Sequence, residues 1–215
     1  MFKTILVAIA MVLLFVSTAS SQTPDPPRFE VAAEFSSLSR NDDSVGGSSK
    51  AGFGGRFTFN FNKNIAIEAA AYAFPGKCLA CQHGGQVYQA VAGPKIGKRF
   101  EKWGIFAKAR PGIVTLGQEQ LEITPTGTND PFPFQFRLNG LDTFAVDLGG
   151  VLEFYPTKRI VTRFDFGDTL LRFPRRQTQS LSFDPTTNKY TLIPFTLPAK
   201  TTHNFQFSAS VGFRF

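Results

Sequence analysis

Two cysteines and two histidines are the residues of this 215-residue chain best equipped for redox, metal or nucleophilic chemistry. Cys78-Leu79-Ala80-Cys81 holds its two thiols at a spacing shared by small disulfides, dithiol redox centres and half of a zinc site. A redox motif calls for a helix start in a thioredoxin-like context, and haem attachment needs a histidine where this chain has Gln82. Zinc would require two further ligands, of which His83 supplies one at most. In an oxidising compartment the default is a loop disulfide between Cys78 and Cys81. His203 precedes Ser208 by five residues, which puts them on opposite faces of a strand, so no His–Ser dyad is expected there. No cofactor site, metal site or catalytic residue is predicted, and the chain has no glycine-rich phosphate loop and no repeat array.

A second constellation is larger. Glu30, Glu34, Glu68, Asp147, Glu153 and Asp165 face the same way as Arg56, Lys95, Lys108, Arg110, Arg163 and Arg214 if each lies on the polar side of an alternating strand, giving six acids against six bases. Inside a narrow barrel such charges must pair, because an isolated buried charge costs several kcal/mol. Glu30 with Arg214 and Glu34 with Arg56 are the expected partners, from their heights on adjacent strands.

The elements that position these groups are strands. Phe205 to Phe215 alternates without a slip, with Phe205, Phe207, Ala209, Val211, Phe213 and Phe215 on one face and Gln206, Ser208, Ser210, Gly212 and Arg214 on the other. Its eleven residues match the ~9–11 that a tilted strand needs to cross hydrocarbon. The same pattern marks Phe29 to Leu38, Ala51 to Phe61, Ile65 to Phe74, Val87 to Phe100, Ile105 to Val114, Phe144 to Tyr155 and Ile160 to Gly167, which makes eight strands. Pro94 and Pro111 would stand opposite each other in the fourth hairpin pair, where a bulge or a twisted ladder edge is expected.

Connections sort by parity. Those after strands two, four and six are three to five residues long, whereas Ser39 to Lys50, Pro75 to Gln86, Thr115 to Leu141 and Asp168 to Thr202 are long. The longest two carry Phe132, Phe134, Phe136, Phe173, Phe183, Tyr190 and Phe195 with Arg172, Arg175 and Arg176, a composition for binding lipopolysaccharide phosphates or another cell's surface, or for an aromatic girdle with strand extensions. His203 falls at the rim, at headgroup level.

Lys3, the apolar run Ile5 to Val16 and the small residues Ser17 to Ser21 read as a signal peptide over 1–21, with cleavage near Ala19 or Ser21, a short segment over 22–28 and one β domain over 29–215. That run is shorter than the ~20 apolar residues of a spanning helix. With 25 Phe and 19 Gly the apolar surface is built from rigid rings and small residues suited to strands. The formal charge of +7 does not point to nucleic acid in an exported chain.

Taken with the ending Val211-Gly212-Phe213-Arg214-Phe215, these features resemble the small outer-membrane β-barrel proteins of Gram-negative-type bacteria, the OmpA/OmpX-like group. The resemblance implies an all-β, eight-stranded antiparallel up-and-down transmembrane β-barrel in the cell outer membrane. It also implies that Phe213 and Phe215 form part of a signal read by the outer-membrane assembly machinery. The functional expectation is a monomer with a plugged lumen, meeting outer-membrane lipid and lipopolysaccharide and acting structurally or through its surface loops. A lipid-active enzyme or narrow pore is the alternative.

Overall fold

The computed structural model describes residues 26–40, 48–76, 85–127, 132–186 and 188–215. The signal-peptide segment 1–21, Cys78, Cys81 and His83 lie outside the described residues.

Alternation produces strands throughout. In chain order they are β1 (Phe29–Arg40), β2 (Ser48–Asn60), β3 (Ile65–Phe74), β4 (Val87–Arg99), β5 (Trp103–Pro125), β6 (Phe134–Phe154), β7 (Ile160–Phe173), β8 (Arg176–Asp184), β9 (Lys189–Leu197) and β10 (Lys200–Arg214). Eight of them, β1 to β7 and β10, close into an antiparallel barrel in which β10 returns to pair with β1. Closure satisfies every strand edge within the wall, the condition for a sheet to stand in hydrocarbon. β8 and β9 form a separate hairpin. Along β1 exposed and buried residues alternate almost perfectly, with Val31 and Phe35 outside and Glu30, Ala32, Glu34 and Ser36 inside. The outer wall is apolar: Phe53, Ile67, Ile96, Ile113, Phe144, Phe205 and Val211 are all exposed.

Side chains tighten the turns at one end. Asn62 Oδ1 accepts the backbone N–H groups of Asn64 and Ile65 at 2.8 and 2.9 Å, and Thr157 Oγ1 accepts those of Arg159 and Ile160 at 3.2 and 3.0 Å.

The segments Thr115 to Leu141 and Asp168 to Thr202 are largely strand, as the strand-extension alternative has it, which brings the strands among the described residues to ten. The β5–β6 ladder passes an irregularity between Leu116 and Gln120, then continues until Pro125 meets Phe134. This arm is amphipathic, because Leu121, Ile123, Phe136 and Leu138 share one face and Glu122, Thr124, Gln135 and Arg137 the other. Gly127, just past the end of β5, has a φ of 69°, which glycine adopts without strain. Pro94 and Pro111 are not opposite each other: Pro94 pairs with Ile67 and Pro111 with Val146. The β4–β5 pairing is interrupted between Val91–Gly112 and Lys95–Lys108 and resumes in the same register, so the prolines remove bonds without adding a bulge. Here the two backbones come close, since a Cβ on Gly93 would sit 2.1 Å from the Ala109 carbonyl oxygen.

Candidate functional site

Inside the barrel the parity of each strand brings charged groups together. All twelve inward charges named above are buried. Arg163 on β7 lies at the centre, contacting both oxygens of Glu68 and donating to Asp165 at 2.9 and 2.7 Å. Lys95 Nζ is 2.5 Å from Glu153 and 3.3 Å from Glu68. Arg110 donates to Asp147 Oδ2 at 3.0 and 2.5 Å, and Lys108 reaches the same oxygen at 2.9 Å. Arg56 is in contact with Glu34, whose other oxygen accepts the Tyr72 hydroxyl at 2.5 Å.

Glu30 and Arg214 occupy paired backbone positions, yet their side chains go elsewhere. Glu30 accepts from Asn60 at 3.0 Å and from Arg99 at 3.4 Å. Arg214 lies 4.4 Å from the centre of the Tyr155 ring and donates to the Thr157 carbonyl at 3.3 Å. Tyr155 links this mouth to the centre: its hydroxyl accepts from Arg99 at 2.8 Å and donates to Glu153 at 2.7 Å. Burial and the neighbouring Glu153 carboxylate hold its phenol well above the ordinary value, so Tyr155 stays a neutral donor.

Arg99, Tyr72 and Tyr155 are network members that strand reading passed over. Arg99 shares the inward parity of Lys95, and Tyr72 that of Glu68, so alternation alone contained both. Tyr155 ends the expected strand Phe144 to Tyr155 at the inward parity of Glu153, so alternation contained it too, although β6 itself stops at Phe154.

Towards the loop end the lining changes chemistry. Gln206 accepts from Gln89 at 3.2 Å and Thr169 at 2.6 Å and donates to Ser36 at 2.9 Å. Beyond these, Leu38, Phe74, Val87, Val114, Leu116 and Leu171 form an apolar cluster with almost no exposure, against which Phe173 packs. The lining is therefore charged near the turns and, near the loops, carries this hydrocarbon cluster beside buried polar residues such as Thr143 and Asn204. Phe173 belongs to this layer rather than to a surface platform.

On the outer wall His203 Nδ1 lies 2.5 Å from Asp168 Oδ2, with side chains 73% and 41% exposed, while Ser208 is buried inside. Asp168 also accepts the Asn204 backbone N–H at 2.9 Å. Among the described residues no group of His, Cys, Asp and Glu is placed to hold a metal ion.

Above the barrel the β5–β6 arm meets the β8–β9 hairpin. Phe132 is 5.2 Å from Tyr190, 5.7 Å from Phe134 and 5.8 Å from Phe136, and Tyr190 is 5.0 Å from Phe183. These contacts place rings from two long connections in one cluster, with Phe132, Phe136 and Phe183 still exposed. Phe195 pairs with Thr178 on the other face of β8–β9, and Arg172 donates to Thr201 at 2.9 Å.

No protein-family model and no curated protein sequence matches the chain. Solved structures do. Neisserial surface protein A superposes with a TM-score of 0.53 at 11% identity, over 87% of this chain and 97% of that one. Ail, the attachment invasion locus protein of Yersinia pestis, gives 0.50 at 12% identity, over 88% of this chain and 99% of that one. Ail in complex with the heparin analogue sucrose octasulfate gives 0.51 at 12% identity, over 88% of this chain and 99% of that one. The chain thus has the all-β, eight-stranded antiparallel barrel fold of the small outer-membrane β-barrel proteins.

Proposed function

We propose that this chain is exported to the outer membrane, where it stands as a barrel with a plugged lumen and acts as a structural or surface-binding protein through the two hairpins at its loop end. The observation that carries this reading is the aromatic cluster joining the β5–β6 arm to β8–β9, because it orders exposed rings before any partner arrives. The filled interior supports a role outside the lumen: paired charges occupy the turn half, and a hydrocarbon cluster with hydrogen-bonded polar residues the loop half. Arg172, Arg175 and Arg176 favour an anionic target, and lipopolysaccharide is the first to try. The heparin analogue held by Ail makes heparin the second probe.

The test is binding of the refolded protein in lipid discs to lipopolysaccharide, heparin and matrix proteins, with Phe136→Ser plus Tyr190→Ser as the variant. Wild-type binding to at least one surface, weakened tenfold or more in the variant, is expected. Equal binding by both proteins, or regular conductance steps in a planar bilayer, would count against the reading. The exposed Asp168–His203 pair favours a lipid-active enzyme as the second reading, and mass analysis of lipid A from cells with and without the protein decides it.

A further inference from the structure

The turn end of the barrel, opposite the hairpins, carries a collar of cations. Arg28, Lys102, Lys158 and Arg159 are exposed there, and Lys98 is half-buried. Among the described residues Glu101 is the one acidic side chain of the three turns. The acids nearest below, Glu30 and Glu153, are inside the lumen and engaged with Arg99. Among the described residues the turn end thus carries more basic than acidic side chains and presents a net positive potential outward.

Rings sit at the same level. Lys98 Nζ lies 5.5 Å over the Phe100 ring, Phe100 stacks on Trp103 at 4.2 Å, and Phe29 is 5.3 Å from Phe59 and 5.8 Å from Phe215. Trp103, Phe61 and Phe215 are exposed and continue directly into the apolar outer wall at Ile65 and Ile105. We propose that this collar binds the anionic headgroups of phospholipids in the leaflet at the turn end. A partner has to offer negative charge and hydrocarbon within a few ångströms of each other, since the Lys98 ammonium lies over the Phe100 ring and that ring stacks on the exposed Trp103. A phosphate-bearing lipid does so, whereas a soluble acidic polymer offers the charge alone. The inference rests on the membrane reading proposed above.

Trp103 is the only tryptophan in the chain, so the collar carries its own reporter. The protein is refolded into vesicles that mix an unlabelled lipid with brominated phosphatidylcholine or brominated phosphatidylglycerol, and quenching of Trp103 gives the relative affinity of the two lipids at this site. Anionic lipid should be preferred by about fivefold, the size attached to one basic residue at an anionic surface. High salt should shrink the preference, and Lys98→Gln with Lys102→Gln should bring it close to one, with heat-modifiable gel migration showing that the variant still folds. Equal quenching by the two lipids would overturn the proposal. So would equal quenching accompanied by charge-dependent sedimentation with isolated cell-wall sacculi, which would assign the collar to an acidic polymer. Quenching by neither lipid would also overturn it and would remove the membrane placement with it, so the two failures are told apart.

Discussion

A buried guanidinium is stable only where carboxylates surround it, so the interior residues are best weighed by what their loss leaves behind. Arg56 holds Glu34, with Asp165 3.8 Å away, and Glu34 has the Tyr72 hydroxyl as its other partner. Arg56→Ala leaves a carboxylate with one neutral donor and is expected to cost about 3–5 kcal/mol in urea unfolding from lipid vesicles. Removing Glu34 as well should cost clearly less than the sum of the two single changes, and strict additivity would mean that the two are not partners. Parity was enough to place these residues inside, because each lies an even number of positions from the next along its strand. Partner choice was legible only in part: Glu34 and Arg56 meet as their heights on adjacent strands predict, but the other expected pair does not. Glu30 and Arg214 share a backbone register yet engage Arg99 and Tyr155 respectively, because long side chains reach diagonally across tilted strands.

Elements add a constraint that single residues do not show. β4 and β5 lose ladder bonds around Pro94 and Pro111, and in the same stretch the two backbones approach closely at Gly93. A Cβ on Gly93 would stand 2.1 Å from the Ala109 oxygen and 2.9 Å from the Arg110 Cα, so backbone must move. Gly93→Ala should therefore lower the yield of refolded barrel severely, whereas Gly150→Ala, where nothing lies within 4 Å of the added methyl, should be neutral. Gel migration before and after heating reads both, and equal yields would show that this wall relaxes without cost. Sequence periodicity carried the membrane-height strands well, because one face of each is uniformly apolar. It carried the arm poorly, since Pro125, Pro131 and Pro133 signal a loop while Leu121, Ile123, Phe136 and Leu138 alternate only after the β5–β6 irregularity. The β8–β9 hairpin was hidden in the same way by Pro194, which lies within β9 opposite Gln179.

The molecule as a whole is polarised along the barrel axis, with cations and rings at the turns, charge pairs above them, a hydrocarbon cluster near the loops and aromatic hairpins beyond. Closure of this stack depends on the β1–β10 seam, the pairing most distant in sequence and so the costliest in loop entropy to form. Phe215 finishes the seam: its N–H donates to the Phe29 carbonyl at 2.9 Å, its carbonyl accepts from Phe29 at 3.0 Å, and its ring stacks 5.8 Å from that of Phe29. Burying that ring in lipid is worth about 1.5–3 kcal/mol, too little to open a barrel whose remaining ladder is intact. The resemblance to outer-membrane barrels nevertheless implies that the aromatic ending is read during assembly in the cell. Deleting Phe215, or adding a charged tail after it, should then reduce the amount inserted into the outer membrane far more than it reduces stability after refolding in vitro. Phe213→Gln is the control, because it keeps the last ring but sets an amide on the outer wall opposite Val31 and Ile160, where it should harm stability directly. Heat-modifiable migration of outer-membrane fractions, alongside urea unfolding of refolded protein, measures the two quantities separately. Wild-type insertion of the Phe215 deletion would argue against recognition of the ending, and accumulation of the intact chain in a soluble fraction would end the membrane assignment.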